Sequence, residues 1–339
     1  MNRAGISEFL DLAKTFPVID VRSPLEFSSG HIPGAVNIPL FTDEERAIVG
    51  TKYAKEGHID AIIEGIKLSG PSMHLKLKQA ISIAANRKLL VHCWRGGMRS
   101  EAMAWLFSMA DMDCTVLEGG YKTYRHHVLE TLAAERRMIV LGGMTGSGKT
   151  DILKYLSETG RQVIDLERLA NHKGSAFGSL GQPPQPSTEQ FENDLFNQLQ
   201  GTDSGSPVWI EDESRNIGTV FLNEGFFNNM QKSTTVVLLM DIPARMPRLL
   251  KEYSAYQPDI LKASIMKVSR RMGGDRAKEA AEAVDAGNMA RAIEILLNYY
   301  DKTYRHSIER KANPKIIYIE TDSDDVAGNA KMILHAAGI

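Results

Sequence analysis

The chain has 339 residues, 43% of them hydrophobic, which is enough for two globular domains with separate cores. Its 40 lysines and arginines are balanced by 42 aspartates and glutamates, so any nucleic-acid partner must be held by a local basic surface. The two cysteines, Cys93 and Cys114, are accompanied by no signal-peptide pattern and no long apolar span. We therefore expect a cytoplasmic protein in a reducing compartment, with no disulfide framework and no membrane association.

The N-terminal part of the chain has the pattern of an α/β block. A short strand ends near Ile19, and glycines and prolines mark tight loops after it. Next come the strand KLLVHC, a helix beginning near Arg99 and the strand CTVLEGG. A helix from about Tyr121 to Arg136 closes the block, and we expect it to link two domains.

A second α/β block begins at RMIVLGGMTGSGKT, and its later strands are PVWIED, TTVVLLMDI and KIIYIE. Strands that alternate with helical patterns predict a mostly parallel sheet whose functional loops follow the C-terminal ends of the strands. The segment GQPPQPST, residues 181–188, has the composition of a long irregular loop. The sequence thus predicts an α/β protein with domains over residues 4–133 and 137–339.

The stretch VHCWRGGMRS contains the most informative single residue, Cys93. The backbone amides from Trp94 to Met98 could wrap around an anion, and a helix N-terminus and Arg99 both favour a thiolate. Arg95 adds a second cation. The spacing HCxxxxxR[ST] is that of the phosphate-binding loop of protein tyrosine phosphatases, whereas most rhodanese sulfurtransferases have a loop one residue shorter. Cys114 lies inside an apolar strand, and we expect it in the core.

The segments on either side of Cys93 resemble a rhodanese domain. DVRSPLEFSSGHIPGAVNIPL, residues 20–40, is similar to the N-terminal signature of that family, and VLEGGYKTYR is similar to its closing segment. Some cell-cycle phosphatases share both this fold and the longer loop, so the fold does not settle the chemistry. A loop widened by one residue has room for a tetrahedral phosphorus oxyanion.

The segment GMTGSGKT fits GxxxxGK[ST] and lies between a strand and a helix, as a Walker A loop does. Its amides and the helix dipole would cradle a diphosphate, Lys149 would bridge the outer oxygens, and Thr150 could hold Mg²⁺. No NKxD-type guanine-reading motif accompanies it, so the base of a nucleotide has no visible receptor. The candidate diphosphate-binding residues are Gly143, Gly146, Ser147, Gly148, Lys149 and Thr150. An acid that completes the site is expected among Glu211, Asp212 and Glu213, and the sequence does not choose between them.

The succession of these two blocks, with several detailed segments, resembles the tRNA 2-selenouridine synthases over nearly the whole chain. Segments outside the general P-loop pattern make the match specific, although PPQPST departs from the Gln-rich loop expected there. The segments that carry the resemblance are HCWRGGMRS, RAIVGTKYAKEGH, GGMTGSGKT, VIDLERLANHKGSAFGSLGQPPQPSTEQFE and EDESRNIG.

The resemblance implies replacement of sulfur by selenium in the wobble 2-thiouridine, position 34, of certain tRNAs. Selenophosphate would supply the selenium, and a geranyl group from geranyl diphosphate would pass transiently onto the sulfur and make it a better leaving group. Cys93 would carry selenium as S-selanylcysteine, with Arg99 and Arg95 beside the oxyanion. The P-loop would bind the diphosphate without hydrolysing a nucleotide. No tightly bound cofactor is implied; the partners are thiolated tRNA and the enzyme that makes selenophosphate.

Other polar residues carry weaker signals. Arg215 in ESRNIG could contact phosphate or pair with a neighbouring carboxylate. The segment from Asn298 to Lys315 interleaves tyrosines with basic residues, which fits either a tRNA-facing helix or a solvated helix with a tyrosine core stripe. A further polar set matches the family pattern and could equally serve as helix caps and surface: Asp165, Glu167, His172, Lys173 and Ser175.

Two other functions remain open from the sequence. One is a cysteine-dependent phosphatase with a P-loop regulatory module, which would release phosphate from aryl phosphates and turn over ATP. The other is a non-catalytic carrier that holds a persulfide and binds tRNA.

Overall fold

The structure is a computed structural model that describes residues 1–311 and 315–339. The chain forms two compact units. The first comprises residues 1–131 and 192–194, and the second comprises residues 132–191 and 195–339.

The first unit is built around five parallel strands in the order β1-β5-β4-β2-β3. Its strands are β1 Asn2–Ala4, β2 Val18–Asp20, β3 Val36–Asn37, β4 Lys88–His92 and β5 Asp113–Leu117. Its helices are α1 Ile6–Ala13, α2 Pro24–Ser29, α3 Asp43–Lys55, α4 His58–Ser69, α5 Met73–Ile83, α6 Met98–Ser108 and α7 Gly120–Ala133, and a 3₁₀ turn covers Gly70–Ser72.

Local sequence explains how these elements begin. Ser23 accepts a hydrogen bond from the Glu26 amide while Glu26 accepts one from the Ser23 amide, a capping box that starts α2 at a proline. The middle strand β4 is buried from Leu89 to His92 and apolar from Leu89 to Val91, as expected for a parallel strand covered on both faces. Cys114 lies in the same core, where burial and then Asp113 raise the pKa of its thiol to about 11, so it is an unreactive core residue.

The second unit contains a parallel sheet in the order β12-β11-β6-β8-β7 and a separate two-stranded hairpin. Its strands are β6 Met138–Gly143, β7 Val163–Ile164, β8 Val208–Glu211, β9 Asn216–Ile217, β10 Val220–Phe221, β11 Thr234–Leu239 and β12 Ile316–Glu320. Its helices are α8 Lys149–Glu158, α9 Leu166–Ala170, α10 Thr188–Gln200, α11 Glu224–Lys232, α12 Ile242–Tyr253, α13 Pro258–Met272, α14 Gly274–Asp285, α15 Met289–Glu309 and α16 Val326–Ala337.

Both candidate loops follow central strands of their sheets. Cys93 comes directly after β4, and the loop from Met144 to Gly148 comes directly after β6. In a parallel sheet the C-terminal strand ends lie along one edge, where neighbouring strands diverge and leave room for a ligand. The predicted α/β class with parallel sheets is confirmed. None of the helices within the described residues is both long enough and apolar enough to cross a membrane.

Candidate active sites in the two units

Cys93 lies at the junction between β4 and the loop that leads into α6. Its side chain is buried, and the hydroxyl of Ser100 donates toward its Sγ across 3.3 Å. The same hydroxyl lies 2.9 Å from the carbonyl oxygen of Gly97, the residue that caps α6. Ser100 can therefore turn its proton toward a thiolate and stabilise the charged sulfur.

The loop after Cys93 presents a row of free amide donors. In the part of the chain that the structure describes, the amides of residues 94–99 donate to no protein acceptor. Free amide donors next to a helix N-terminus are groups that can bind an anion. The arrangement fits the prediction of an oxyanion held beside the sulfur.

Glycines hold this loop against the segment that starts α7. Gly96 and Gly120 both have positive φ, at 64° and 61°. A Cβ on Gly120 would lie 2.4 Å from the Cys93 carbonyl oxygen, so only glycine allows this approach. The amide of Tyr121 donates to that same carbonyl at 2.8 Å. The predicted closing segment VLEGGYKTYR is thus the support of the Cys93 loop.

Arg99 is held by an acidic partner. Its Nη1 and Nη2 donate to the two carboxylate oxygens of Glu26 at 2.6 and 3.2 Å. Burial opposes ionisation of Glu26, yet the hydrogen bonds and charge of Arg99 hold its pKa below the ordinary value. This two-point hydrogen bond to Glu26, called here the fork, fixes the plane of the Arg99 guanidinium near the loop. The Nε–H of Arg99 and its other two Nη protons stay available to an anion. Arg95, in contrast, is exposed.

The P-loop of the second unit has a comparable geometry. Gly146 and Gly148 both take a φ of 81°, and a Cβ on Gly146 would lie 2.8 Å from Leu249. Among the described residues, the amides of Thr145, Gly146, Gly148 and Lys149 donate to no protein acceptor. These free donors at the N-terminus of α8 provide the cradle that the motif predicts.

Two side chains of the P-loop point to its binding function. The ammonium group of Lys149 donates to the carbonyl of Gly143 at 2.9 Å, folded back over the loop. The hydroxyl of Ser147 is buried and has no hydrogen-bond partner in the described part of the chain. Lys149 is thus positioned to move a short way onto a phosphate.

Comparison with known proteins agrees with this pair of sites. The Rhodanese-like domain family matches residues 6–127, and the family described as the tRNA 2-selenouridine synthase AAA domain matches residues 136–334. The tRNA 2-selenouridine synthase of Nitrosomonas europaea is 31% identical to this chain, over 88% of the chain and 91% of that protein. Proteins of the same name from Shewanella denitrificans and Sulfurovum sp. are each 35% identical, over 90% and 88% of this chain and 92% and 90% of theirs.

The chain belongs to the tRNA 2-selenouridine synthase family. The resemblance predicted from the sequence segments is confirmed, and so is its classification as an enzyme. The rhodanese-like fold of the first block is confirmed as well.

The acids expected at the end of β8 have different surroundings in the second unit. One carboxylate oxygen of Glu211 accepts from the Leu166 amide at 2.8 Å. Asp212 accepts from the Lys311 ammonium group at 2.5 Å and from the Tyr304 hydroxyl at 3.2 Å. Asp212 is therefore engaged by protein donors through both carboxylate oxygens, whereas the Oε1 of Glu211 is buried with no hydrogen-bond partner among the described residues.

Glu167, from α9, is an acid whose side chain lies beside the P-loop. The Thr150 hydroxyl lies 3.4 Å from its Oε2, and Glu167 also shares a hydrogen bond with Glu213. Burial first, and then the Glu167 charge, raise the pKa of Glu213 to about 8. Burial raises the pKa of Glu167 too, against the opposing charge of Lys149. The two carboxyls therefore hold a proton between them at neutral pH.

The other predicted polar residues support their own loops. Asp165 caps α9 by accepting from the Arg168 amide at 2.7 Å. Lys173 pairs with Glu252, and the Ser175 hydroxyl accepts from a loop amide two residues on. His172 is buried, and burial lowers its pKa.

Arg215 lies close to an acidic neighbour on α11. Its guanidinium lies 3.5 Å from the carboxylate of Glu224, and both side chains are largely exposed. Within the described residues, Arg215 is thus paired with a neighbouring carboxylate.

Sequence reasoning missed two arginines of α12 that contact the P-loop. Arg245 is buried, donates to the Thr145 carbonyl at 3.0 Å, and is forked on Asp301. Arg248 pairs with Asp151 of α8, and its Nη2 would lie 3.0 Å from a Cβ on Gly148. An i, i+3 arginine pair is a weak signal in a sequence, because most such pairs are solvated.

Tyrosines of α15 belong to the interior of the second unit. Tyr299 and Tyr300 pack against the helical core cluster, and the Tyr304 hydroxyl accepts from the Gly143 amide at 2.7 Å. The tyrosines therefore form a core stripe, and Lys302 and Arg305 on the same helix are exposed. The segment considered in the sequence also includes residues 312–314, which lie outside the described residues.

An apolar crevice adjoins the P-loop. Thr145 of the P-loop is one of its lining residues, and the volume of the crevice is about 10 Å³. Its other walls are apolar or aromatic side chains: Phe177, Leu249, Tyr253, Ile293, Leu296, Leu297 and Tyr300. The space next to the phosphate cradle is thus lined by hydrocarbon and aromatic rings.

Proposed function

We propose that this chain replaces sulfur by selenium in the wobble 2-thiouridine of tRNA. In this proposal selenophosphate supplies the selenium, and geranyl diphosphate first alkylates the thiouridine sulfur. A separate enzyme makes the selenophosphate. The reaction belongs in the cytoplasm, where the tRNA is and where Cys93 stays reduced.

The anion loop around Cys93 carries the selenium half of the proposal. The free amides of residues 94–99 and the fork of Arg99 on Glu26 suit the phosphate of selenophosphate, which would bring its selenium to the sulfur. The Cys93 thiolate attacks the selenium. An S–Se bond forms as the Se–P bond breaks, and the bonding pair stays on phosphorus, which is thereby reduced by two electrons and leaves as phosphite. The selenium then attacks the ring carbon and expels geranyl thiolate, and a thiol reductant cleaves the S–Se bond.

The P-loop and its crevice support a prenyl diphosphate as the second substrate. The amides of the loop and Lys149 would hold the diphosphate and stabilise the charge that develops as the C–O bond breaks. A nucleotide would need polar groups for its base, whereas the walls next to Thr145 are apolar. The present cavity has a volume of only about 10 Å³, so a geranyl chain would enter it only if these walls separate.

The P-loop motif suggests that a magnesium ion could accompany the bound diphosphate. Across residues 1–311 and 315–339, no three His, Cys, Asp or Glu side chains are grouped so that they could hold a metal ion. Thr150 and Glu167 are the residues that would hold Mg²⁺ beside a bound diphosphate, where it would neutralise the leaving group.

The proposal is tested with purified protein, 2-thiouridine-containing tRNA and selenophosphate, with and without geranyl diphosphate. Nucleosides are then analysed by mass spectrometry. We expect 2-selenouridine only when geranyl diphosphate is present, and no consumption of ATP. Release of phosphate from an aryl phosphate with ATP turnover would instead support the phosphatase alternative, and absence of any selenium product would favour a carrier role.

The division of labour is tested with Lys149→Ala. This variant should no longer form geranylated tRNA, yet it should convert tRNA that is already geranylated into 2-selenouridine. Lys154→Ala is the matched control, because Lys154 lies on the same helix and its 4.0 Å pair with Glu158 is exposed. If folded Lys149→Ala protein fails on geranylated tRNA, or if that step requires ATP, the two-site mechanism is wrong.

A further inference from the structure

An open depression lies beside the Cys93 loop in the first unit. Its volume is about 530 Å³, and it is lined by Arg95, Gly119, Lys122, Thr123 and His126. It is large enough to hold a phosphate group together with part of its sugar.

The depression and the Cys93 loop share backbone. Arg95 belongs to the loop itself, and the amide of Lys122 donates to the Trp94 carbonyl at 3.0 Å. The preceding amide, of Tyr121, holds the Cys93 carbonyl at 2.8 Å. Any substrate group that reaches Cys93 therefore brings its neighbouring groups close to this depression.

The charge of the lining is positive. Arg95 and Lys122 are exposed, and neither forms an ion pair within the described residues. His126 lies 3.1 Å from Glu130, so the positive charge of the lining comes from Arg95 and Lys122. No carboxylate lines the depression, and Thr123 on the first turns of α7 adds a hydroxyl donor.

We propose that this depression binds the phosphates of the tRNA strand that flank the wobble nucleotide. The inference rests on the proposed function, because the ring carbon of that nucleotide must reach Cys93. When that ring carbon is at Cys93, the phosphates on either side of the nucleotide lie within one nucleotide of the site. The chain carries about as many acidic as basic residues, so local cations must neutralise these phosphates. Arg95 and Lys122 provide them at the rim of the loop.

Lys122 provides the sharpest test, because its exposed side chain can be changed without disturbing the loop. The series is Lys122→Arg, Lys122→Gln and Lys122→Glu, and the probe is full-length thiolated tRNA titrated by fluorescence anisotropy at several salt concentrations. We expect Lys122→Arg to bind like the unchanged protein and Lys122→Gln to bind about 2- to 5-fold more weakly. Lys122→Glu should bind more weakly still.

The salt dependence identifies the contact as a phosphate. For Lys122→Gln, the slope of log K against log salt should fall in magnitude by about 0.7. Lys78→Gln is the matched control, since Lys78 is an exposed lysine on α5 that does not line the depression. It should change neither the affinity nor the slope.

Kinetics separate tRNA phosphates from a small anion as the occupant. In the selenation assay Lys122→Gln should raise KM for tRNA and leave both kcat and KM for selenophosphate unchanged. A rise in KM for selenophosphate alone would make the depression a small-anion site and overturn the proposal. Unchanged affinity and slope in both Lys122→Gln and Lys122→Glu would also overturn it. If the unchanged protein binds tRNA but makes no 2-selenouridine, the proposed function fails, and the binding series still decides the role of this surface.

Discussion

Tyr304→Phe removes a single oxygen from the support of the P-loop. The hydroxyl accepts from the Gly143 amide at 2.7 Å and lies 3.2 Å from Asp212 Oδ2, to which it donates. It also occupies the space where a Cβ on Gly142 would stand, at 2.3 Å. Burial, and then the charge of Asp212, raise the pKa of Tyr304 well above its ordinary value, so the group is a neutral donor throughout the accessible pH range.

The loss of stability in Tyr304→Phe comes from the two groups that lose the hydroxyl as a hydrogen-bond partner. The Gly143 amide would lose its acceptor inside the unit, which costs about 1–3 kcal/mol. Asp212 retains the Lys311 ammonium group at 2.5 Å, so its loss is smaller, about 0.5–1 kcal/mol. A total of about 1.5–4 kcal/mol in a unit of roughly 200 residues lowers its Tm by about 3–16 °C.

The assay is thermal unfolding followed by calorimetry, with and without inorganic diphosphate. Tyr304→Phe should lower the Tm of the second unit and also reduce the stabilisation by diphosphate, because Gly143 leads directly into the cradle. Tyr318→Phe is the control: Tyr318 on β12 is 55% exposed, and the change should stay within about 0.5 kcal/mol. If the Tm of Tyr304→Phe lies within about 1 °C of the Tm of the unchanged protein, the Gly143 amide has found another acceptor and the predicted loss of stability is wrong.

Three further predictions concern the reacting groups. Cys93→Ser should abolish selenation and leave geranylation largely intact by nucleoside mass spectrometry, with Cys114→Ser as a near-silent control. Arg99→Lys should lower turnover sharply at limiting selenophosphate, because lysine keeps the charge but loses the fork on Glu26. Between about pH 5 and 8 the folded protein holds a proton on Glu213 that the unfolded chain has released, so the unfolding free energy of the unchanged protein falls as pH rises. Glutamine does not titrate, so Glu213→Gln should be more stable than the unchanged protein by a margin that grows with pH in this range. Denaturant unfolding at several pH values measures this margin.

Each of these has a contrary outcome. Normal selenation by Cys93→Ser would indicate direct attack of bound selenophosphate on the geranylated base. Full activity of Arg99→Lys would remove the oxyanion role, and a pH-independent effect of Glu213→Gln would mean that Glu213 is ionised in the folded protein.

The sequence could predict those parts of the two sites that are formed by a single continuous segment of the chain. The Cys93 loop and GMTGSGKT each lie between a strand and a helix, so their donors follow one another along the chain. A loop of this kind has its geometry set by glycines within it, such as Gly146, and by the helix that it starts. The family segments added the identity of the chain, which the comparisons confirm.

The sequence could not show in the same way which acidic side chain lies beside the P-loop. Glu211, Asp212 and Glu213 occupy consecutive positions, and alternation along a strand end sends their side chains in different directions. Only the packing of α9 decides that Glu167 meets Thr150, while Glu213 becomes its proton-sharing neighbour.

The sequence by itself determined the two α/β blocks, the two anion-binding loops and the family, because each depends on residues close together in the chain. Tertiary structure alone decided which distant side chains serve those loops. Glu26 is 73 residues from Arg99, Arg245 is 100 residues from Thr145, and Tyr304 is 161 residues from Gly143. No local pattern encodes such partners, since a hydrogen bond across the fold depends on how sheets and helices pack and not on the spacing of residues along the chain.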